Sequence, residues 1–222
     1  MSISTADFDA WVDQVALGVS LRKIAEKSGL SVSTISLQRR EGKVRPEIIM
    51  KIASAFSHSK LRELSRFEGY ESVYPVPDFA DMPWLSCVKL TDLIAELLFR
   101  GGVAEPAADY IFEVGEDACS RWRYCIGGGE KRKEVSEVLG LMPHHYSRLV
   151  KSNSLRFEMV LKVANFYKVT PHVGLVACGY ISLSDIGIVD VASELRNAQK
   201  KDILEQLDRE SRSLVTWLSR FD

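Results

Sequence analysis

Residues 21–36 read LRKIAEKSGLSVSTIS, and their spacing predicts the fold of the first part of the chain. Ala25 is small enough for two helices to cross closely, and Gly29 can adopt the positive φ that a sharp turn between helices requires. Ser31 can cap a second helix, because its hydroxyl can accept a hydrogen bond from the backbone of the first turn. The pattern therefore predicts two short helices joined by a tight turn. Their shared apolar contact is expected from Ile24, Leu30 and Ile35.

The second of these helices is predicted to present short polar side chains outward, which allows a helix to enter a DNA major groove closely. The candidates for reading base edges in this first unit are Ser31, Val32, Ser33, Ser36, Leu37 and Arg40. The candidates for contacting backbone phosphates nearby are Arg22, Lys23, Lys43, Arg45 and Lys51.

Residues 5–70 resemble an Xre-type helix-turn-helix domain, the group that includes lambda-type phage repressors. The resemblance is carried by IAEKSGLSVSTIS (24–36), REGK (40–43), PEIIMKIASAF (46–56) and FEGY (67–70). It implies a helical domain that binds double-stranded operator DNA. The chain departs from the family three residues after Ile35, where Gln38 replaces an apolar residue and Leu37 stands beside it. This departure leaves open whether the end of the second helix is rotated or shortened, and with it the roles of Leu37 and Gln38.

A second, more divergent unit follows at an offset of 111 residues. The matching pairs are Gly29 with Gly140, Ser36 with Ser147, Glu47 with Glu158, Ala53 with Ala164, and Phe56 with Tyr167. A kept spacing across several helices indicates an internal repeat. We interpret residues 119–182 as a second helix-turn-helix unit, with base-reading candidates His144, Ser147, Arg148 and Lys151 and phosphate-contacting candidates Lys131, Arg132 and Lys133. The alternative is a unit that has kept the fold, has lost DNA binding, and serves only for packing.

The net charge of −1 hides a strongly uneven distribution of charge. Residues 20–66 carry 11 Lys and Arg against 4 Asp and Glu, and residues 121–168 carry 10 against 4. The segment between them, 69–117, carries 2 against 10. Because phosphate binding depends on the local field, the two basic blocks favour a nucleic-acid partner for both units. Helix faces that are simply exposed to solvent would give the same two basic blocks. The position of the blocks in the sequence does not distinguish this interpretation from nucleic-acid binding.

The predicted fold class is all-α: two lambda-repressor-like helix-turn-helix units joined by a proline-containing linker, plus a C-terminal amphipathic helix. Residues 1–70 are expected to form an N-terminal DNA-binding domain, and 71–86 a linker, which holds three prolines. A helical region with the second unit spans 87–182, and C-terminal helices span 183–222. Two helices, 90–100 and 106–125, are expected to precede the second helix-turn-helix.

The C-terminal helix, about 203–221, carries an apolar stripe at helical spacing. The stripe consists of Leu204, Leu207, Leu214, Leu218 and Phe221. Such a helix either pairs with a second copy of the chain, giving a homodimer, or folds back onto its own chain. Its length of three heptads is the lower limit for predicting a coiled coil. Of the two possibilities we favour the interaction with a second copy.

Composition and motifs argue against several other classes. No uninterrupted apolar run is long enough to span a bilayer, and the N-terminus lacks the basic start of a signal peptide, so no membrane partner is expected. The four cysteines do not form a CxxC pair and are expected to be reduced thiols. His144 and His145 have no acidic or thiol neighbour at ligand spacing, and Gly127-Gly128-Gly129 lacks a GK[ST] sequence. We expect no enzymatic activity, no cofactor and no metal.

The expected function is that of a sequence-specific transcriptional repressor in the cytoplasm, associated with the nucleoid. The layout of two reading heads in one chain resembles the immunity repressors of temperate phages of actinobacteria. The alternative is an antitoxin-like or host regulator whose second unit and C-terminal helix bind a protein partner.

Overall fold

All regular structure in the described residues is helical. The structure is a computed structural model that describes residues 3–105, 117–127 and 131–218, without the side chains of 81 and 212–218. Within these ranges the chain forms thirteen α-helices, four short 3₁₀ helices and one isolated antiparallel bridge between Ile3 and Val44. The prediction of an all-α fold is confirmed.

The chain divides into two compact units, Met1–Val76 and Pro77–Asp222. The first unit contains a 3₁₀ helix at Glu71–Val73 and five α-helices: α1 (Thr5–Val15), α2 (Leu21–Ser28), α3 (Val32–Arg40), α4 (Pro46–Ala55) and α5 (Lys60–Leu64). Helix α2 packs against α3 and α4, α1 packs against α3, and α4 packs against α5. Each of these five helices contributes buried apolar residues to the interior of the unit.

Serine side chains begin most helices of the first unit. Ser4, Ser20, Ser31 and Ser59 each accept a hydrogen bond from the backbone N–H three residues later, which satisfies a donor that the helix itself leaves unpaired. Helix α4 instead begins with Pro46, whose missing N–H costs nothing at that position. Local sequence therefore sets the start of each helix.

The second unit has more elements. Its α-helices are α6 (Leu90–Arg100), α7 (Ala118–Gly127), α8 (Arg132–Val138), α9 (Pro143–Lys151), α10 (Phe157–Tyr167), α11 (His172–Ala177), α12 (Val191–Asn197) and α13 (Lys200–Leu218). The predicted helix 90–100 has the bounds of α6. Of the predicted helix 106–125, residues 106–116 lie outside the described residues, and α7 covers most of the remainder. Gly128 and Gly129, in the expected glycine turn, also lie outside them.

Five helices of the first unit recur in the second with the same order and spacing. Helices α7 to α11 begin and end within a few residues of the positions that an offset of 111 from α1 to α5 gives, and α9 has the same bounds as shifted α3. The turn between the matched pairs is also kept, since Gly29 has φ +65° and Gly140 has φ +66°. The two units therefore share the order and spacing of five helices and the positive φ of one turn glycine.

The segment 71–86, predicted as a linker, is mostly built into the two units. It contains 3₁₀ helices at Glu71–Val73, Phe79–Asp81 and Trp84–Cys87, the last ending one residue beyond the predicted linker. Val73 is buried in the first unit, and Trp84 and Leu85 are buried in the second. The division between the units falls inside this segment, after Val76.

The first half of α13 folds back onto its own unit, against α6, α7 and the 3₁₀ helix Trp84–Cys87. Its buried residues are Ile203, Gln206 and Glu210, whereas Leu204 of the predicted stripe is exposed and Leu207 is half-buried. The side chains of Leu214 and Leu218, and Phe221 altogether, lie outside the described residues. The buried side of α13 thus differs from the predicted one, because polar groups of α7 require polar partners.

Candidate nucleic-acid interface

All six residues predicted to read bases in the first unit are exposed on α3 or at its N-cap. They are Ser31, Val32, Ser33, Ser36, Leu37 and Arg40. The opposite side of the helix is buried through Ile35 and Gln38, which are 1% and 8% exposed. Helix α3 is therefore anchored in the first unit by its buried side and presents the opposite side to solvent.

Gln38 explains the departure from the Xre pattern. Its side-chain Oε1 accepts a hydrogen bond from the backbone N–H of Arg45 at 2.8 Å. Arg45 is the N-cap residue of α4, and its own side chain makes no capping bond. Gln38 thus occupies the expected buried position with a polar group that has a partner, and Leu37 stays on the exposed side. The end of α3 is not shortened before Arg40.

Short polar contacts hold the start of α3. Ser31 Oγ accepts a hydrogen bond from the Thr34 N–H at 3.0 Å. It also lies 2.8 Å from Ser33 Oγ and 2.7 Å from Thr34 Oγ1. These hydroxyls are therefore partly engaged with one another, which leaves less of their hydrogen-bonding capacity for a ligand.

The two arginines at the end of α3 have different surroundings. Arg39 donates to Asp9 Oδ2 at 2.8 Å and so ties α3 to α1. Its carbonyl also accepts a hydrogen bond from Thr5 Oγ1 at 2.9 Å. Arg40 is exposed, and the described residues give its guanidinium no hydrogen-bond or ion-pair partner. Arg40 is therefore the α3 cation that is available to a ligand.

The predicted phosphate-contacting residues of the first unit are all exposed. Arg22 and Lys23 lie in the first turn of α2, Lys43 and Arg45 lie in the turn between α3 and α4, and Lys51 lies on α4. These three elements are the neighbours of α3 in the chain. The structure thus leaves their charged groups in water, where a polyanion can reach them.

The candidates of the second unit converge on one surface cavity of about 720 Å³. Its lining residues are Arg132, Pro143, His144, Ser147, Arg148, Lys151 and Ser152. All four predicted base-reading residues and one predicted phosphate-contacting residue are among them. Lys131 and Lys133 are exposed at the start of α8 and do not line the cavity.

The exposed faces of α3 and α9 differ in chemistry at matching positions. Ser33 corresponds to His144, Leu37 to Arg148, and Arg40 to Lys151. The face of α9 is therefore more cationic. Ser147 is only half-exposed and donates its hydroxyl to the Pro143 carbonyl at 2.9 Å, which reduces its capacity to read a base.

The charge pattern overstates the exposed charge of the second basic block. Arg121 is 7% exposed, donates Nη1 to the Val88 carbonyl, and pairs with Asp117 at 3.1 Å and Glu210 at 3.5 Å. Burial raises the pKa of Glu210, although the hydrogen bond from Gln206 and the nearby Arg121 oppose this rise. Arg121 is thus part of an internal polar cluster, which the sequence pattern did not reveal.

Within the described ranges, no three His, Cys, Asp or Glu side chains are grouped so that they could hold a metal ion. In the same ranges no helix has both the length and the apolar character needed to cross a bilayer. Comparison of the chain with family models, curated proteins and solved structures gives no match.

Proposed function

We propose that the chain is a sequence-specific double-stranded DNA-binding repressor that contacts one operator with α3 of the first unit and α9 of the second. The observation that carries the proposal is the exposed face of α3. Its residues lie opposite buried Ile35 and Gln38, so that the helix is held firmly while its outer face stays open. A recognition helix needs this combination in order to enter a major groove.

The chemistry of the first unit supports this proposal. Small side chains at Ser33 and Ser36 permit close approach to base edges, and Arg40 offers a two-pronged donor for a guanine. The exposed cations of α2, α4 and the α3–α4 turn supply the phosphate contacts that provide most of the affinity. The resemblance of residues 5–70 to Xre-type domains points to the same role.

The second unit supports a second contact with the same operator. The cavity beside α9 brings the cationic groups of Arg132, Arg148 and Lys151 together on an exposed surface. Because the faces of α3 and α9 carry different residues, the two units would prefer different sequences. The proposal therefore predicts an asymmetric operator rather than a palindrome. Repression would follow from occupation of promoter DNA, as in the phage immunity repressors that the layout resembles.

A protein-binding regulator is the second candidate, and exposed apolar residues of the second unit favour it. Ile94 and Leu98 lie one turn apart on α6 and are each 43% exposed, and Leu204 of α13 is 47% exposed. A stable stoichiometric complex with a co-encoded protein, formed in the absence of DNA, would favour this candidate.

Genome-wide mapping of bound DNA, followed by footprinting with the purified full chain, tests the leading proposal. We expect salt-sensitive binding to an asymmetric site that is long enough for two major-groove contacts. A short footprint would limit DNA binding to one unit, and a palindromic footprint would indicate a dimer. Equal affinity for all duplexes would exclude a sequence-specific repressor.

A further inference from the structure

Two apolar side chains lie on the exposed face of α3 and are only partly covered by the protein. Val32 is 40% exposed and Leu37 is 44% exposed, whereas Ile35 of the same helix is 1% exposed. A single exposed apolar residue is ordinary on a protein surface. These two, however, both lie on the face that the proposed function directs toward base edges, where they are available to apolar groups of a ligand.

The geometry of the helix places these two residues at opposite edges of the exposed face. At roughly 100° per residue, Val32, Ser36, Arg40, Ser33 and Leu37 follow one another around an arc of about 140°. Val32 and Leu37 are also separated by about 7.5 Å along the helix axis. They would therefore contact different base pairs in a groove.

The polar groups of the same face leave much of the recognition to these apolar residues. Ser31 and Ser33 are joined to each other through their hydroxyls, and Ser31 also caps the helix. Ser36 and Arg40 remain as the exposed groups for hydrogen-bond readout. In the major groove, only thymine presents a methyl group, which distinguishes it by apolar contact.

We propose that Val32 and Leu37 each select a thymine by contact with its C5-methyl group. This inference rests on the proposed function and specifies the sequence that α3 reads. The matching residues of α9 are Pro143 and Arg148, so that α9 lacks this pair of side chains. The thymine preference belongs to the part of the operator that the first unit contacts.

The experiment replaces each thymine of the footprinted operator, one at a time, with deoxyuridine, which lacks only the methyl group. Affinities of the full chain are measured at fixed salt concentration by equilibrium titration. We expect a loss of about fourfold at each of two positions, which corresponds to the burial of one methyl group. The unmodified operator and a random duplex serve as references.

Protein variants assign each methyl contact to its residue. Val32→Ala should be insensitive to deoxyuridine at one position and Leu37→Ala at the other, while each keeps the sensitivity of the remaining position. Leu17→Ala is the matched control, because Leu17 is 84% exposed and lies outside α3. It should keep both sensitivities. Circular dichroism of each variant checks that the fold is unchanged.

The outcomes separate this inference from the proposed function. If the operator is bound specifically and deoxyuridine has no effect at any position, the thymine readout is wrong and the repressor proposal stands. If both α3 variants keep the full sensitivity of the wild type, other residues read the methyl groups and the inference is also wrong. If no duplex is bound with salt sensitivity, the proposed function itself fails.

Discussion

Gly174 packs against the six-membered ring of Trp122 so closely that an added Cβ would lie 2.5 Å from the ring. The matching residues of the first unit, 111 positions earlier, are Glu63 and Trp11. There the indole N–H of Trp11 donates to Glu63 Oε2 at 2.9 Å. Both tryptophans are buried. The two units thus keep the tryptophan and enclose it in different ways.

Gly174→Ala is expected to destabilise the second unit by about 1–3 kcal/mol, because the new methyl group cannot fit beside the indole ring. Hydrogen exchange of α7 and α11 amides measures the effect. Trp122→Phe in the same chain should relieve part of the loss, since it removes the ring atoms that the methyl group would meet. Unchanged exchange in Gly174→Ala would contradict this packing.

Glu63 makes the stability of the first unit sensitive to acid. Burial alone would raise the pKa of Glu63, but hydrogen bonds from Trp11 and Arg66 and the charges of Arg66 and His58 together lower it below its ordinary value of 4.5. A carboxyl group whose pKa is lowered by folding stabilises the protein above its unfolded-state pKa, and this contribution is lost as the pH falls through the folded-state pKa.

Glu63→Gln is therefore expected to weaken the first unit at neutral pH and to flatten the acid side of its stability profile. Hydrogen exchange of α1 and α5 amides, followed from pH 7 down to about pH 2 so that the range extends below the lowered pKa, provides the measurement. Trp11→Phe removes the donor of the same hydrogen bond. The loss of stability in the double variant Trp11→Phe/Glu63→Gln should therefore be smaller than the sum of the losses in the two single variants. The control is Glu68→Gln, because Glu68 is exposed; an equal effect there would contradict the prediction.

Replacement of Gln38 tests its bond to the Arg45 backbone. Gln38→Leu keeps the side-chain volume but removes the acceptor, and it should destabilise the first unit by about 1 kcal/mol. Gln38→Glu keeps an acceptor oxygen and places a negative charge near the start of α4, where the helix dipole favours it. Thermal unfolding should rank Gln38→Glu above Gln38→Leu. The reverse order would show that the position prefers an apolar residue.

Arg40→Ala tests base reading by the first unit. If Arg40 reads a base, its loss should cost about 1–3 kcal/mol on the operator and much less on random DNA. Arg62→Ala removes an exposed arginine from α5 and serves as the control for loss of charge alone. An equal loss on operator and random DNA would assign Arg40 to a phosphate contact.

Arg148→Ala and Lys151→Ala test the second unit. If these residues read bases, as predicted, each replacement should cost about 1–3 kcal/mol on the operator and much less on random DNA. Arg196→Ala, at an exposed position of α12, removes a charge away from the cavity and should leave the affinity for the operator nearly unchanged. If the cavity variants behave like this control, the second unit does not contact DNA and serves for packing.

The helical class and the start of the matched helices could be predicted from local signals. Serine caps, Pro46 and Pro143 at first helical positions, and Gly29 and Gly140 in turns act within a few residues of chain. The exposed face of α3 could also be predicted, since a helix with Ile35 on one side must present Ser33 and Ser36 on the other.

The partners of polar residues could not be read from the pattern. Arg121 begins the second basic block of the sequence, and Gln206 and Glu210 lie outside the predicted apolar stripe of the C-terminal helix. In the structure Gln206 donates to Glu210 at 2.8 Å, and Glu210 faces Arg121 in the interior. Because a buried charge is stable only with a partner, the side of α13 that is buried depends on residues far away in the sequence.

Periodicity and capping act over one or two helical turns, and these local interactions were enough to specify an all-helical chain with a repeated set of helices. Contacts between distant segments decided the rest: that Gln38 points inward to Arg45, that Glu63 receives the Trp11 N–H while Gly174 makes room for Trp122, and that the α9 candidates meet in one cavity with Arg132. Each of these depends on side-chain packing between helices, which no local pattern encodes.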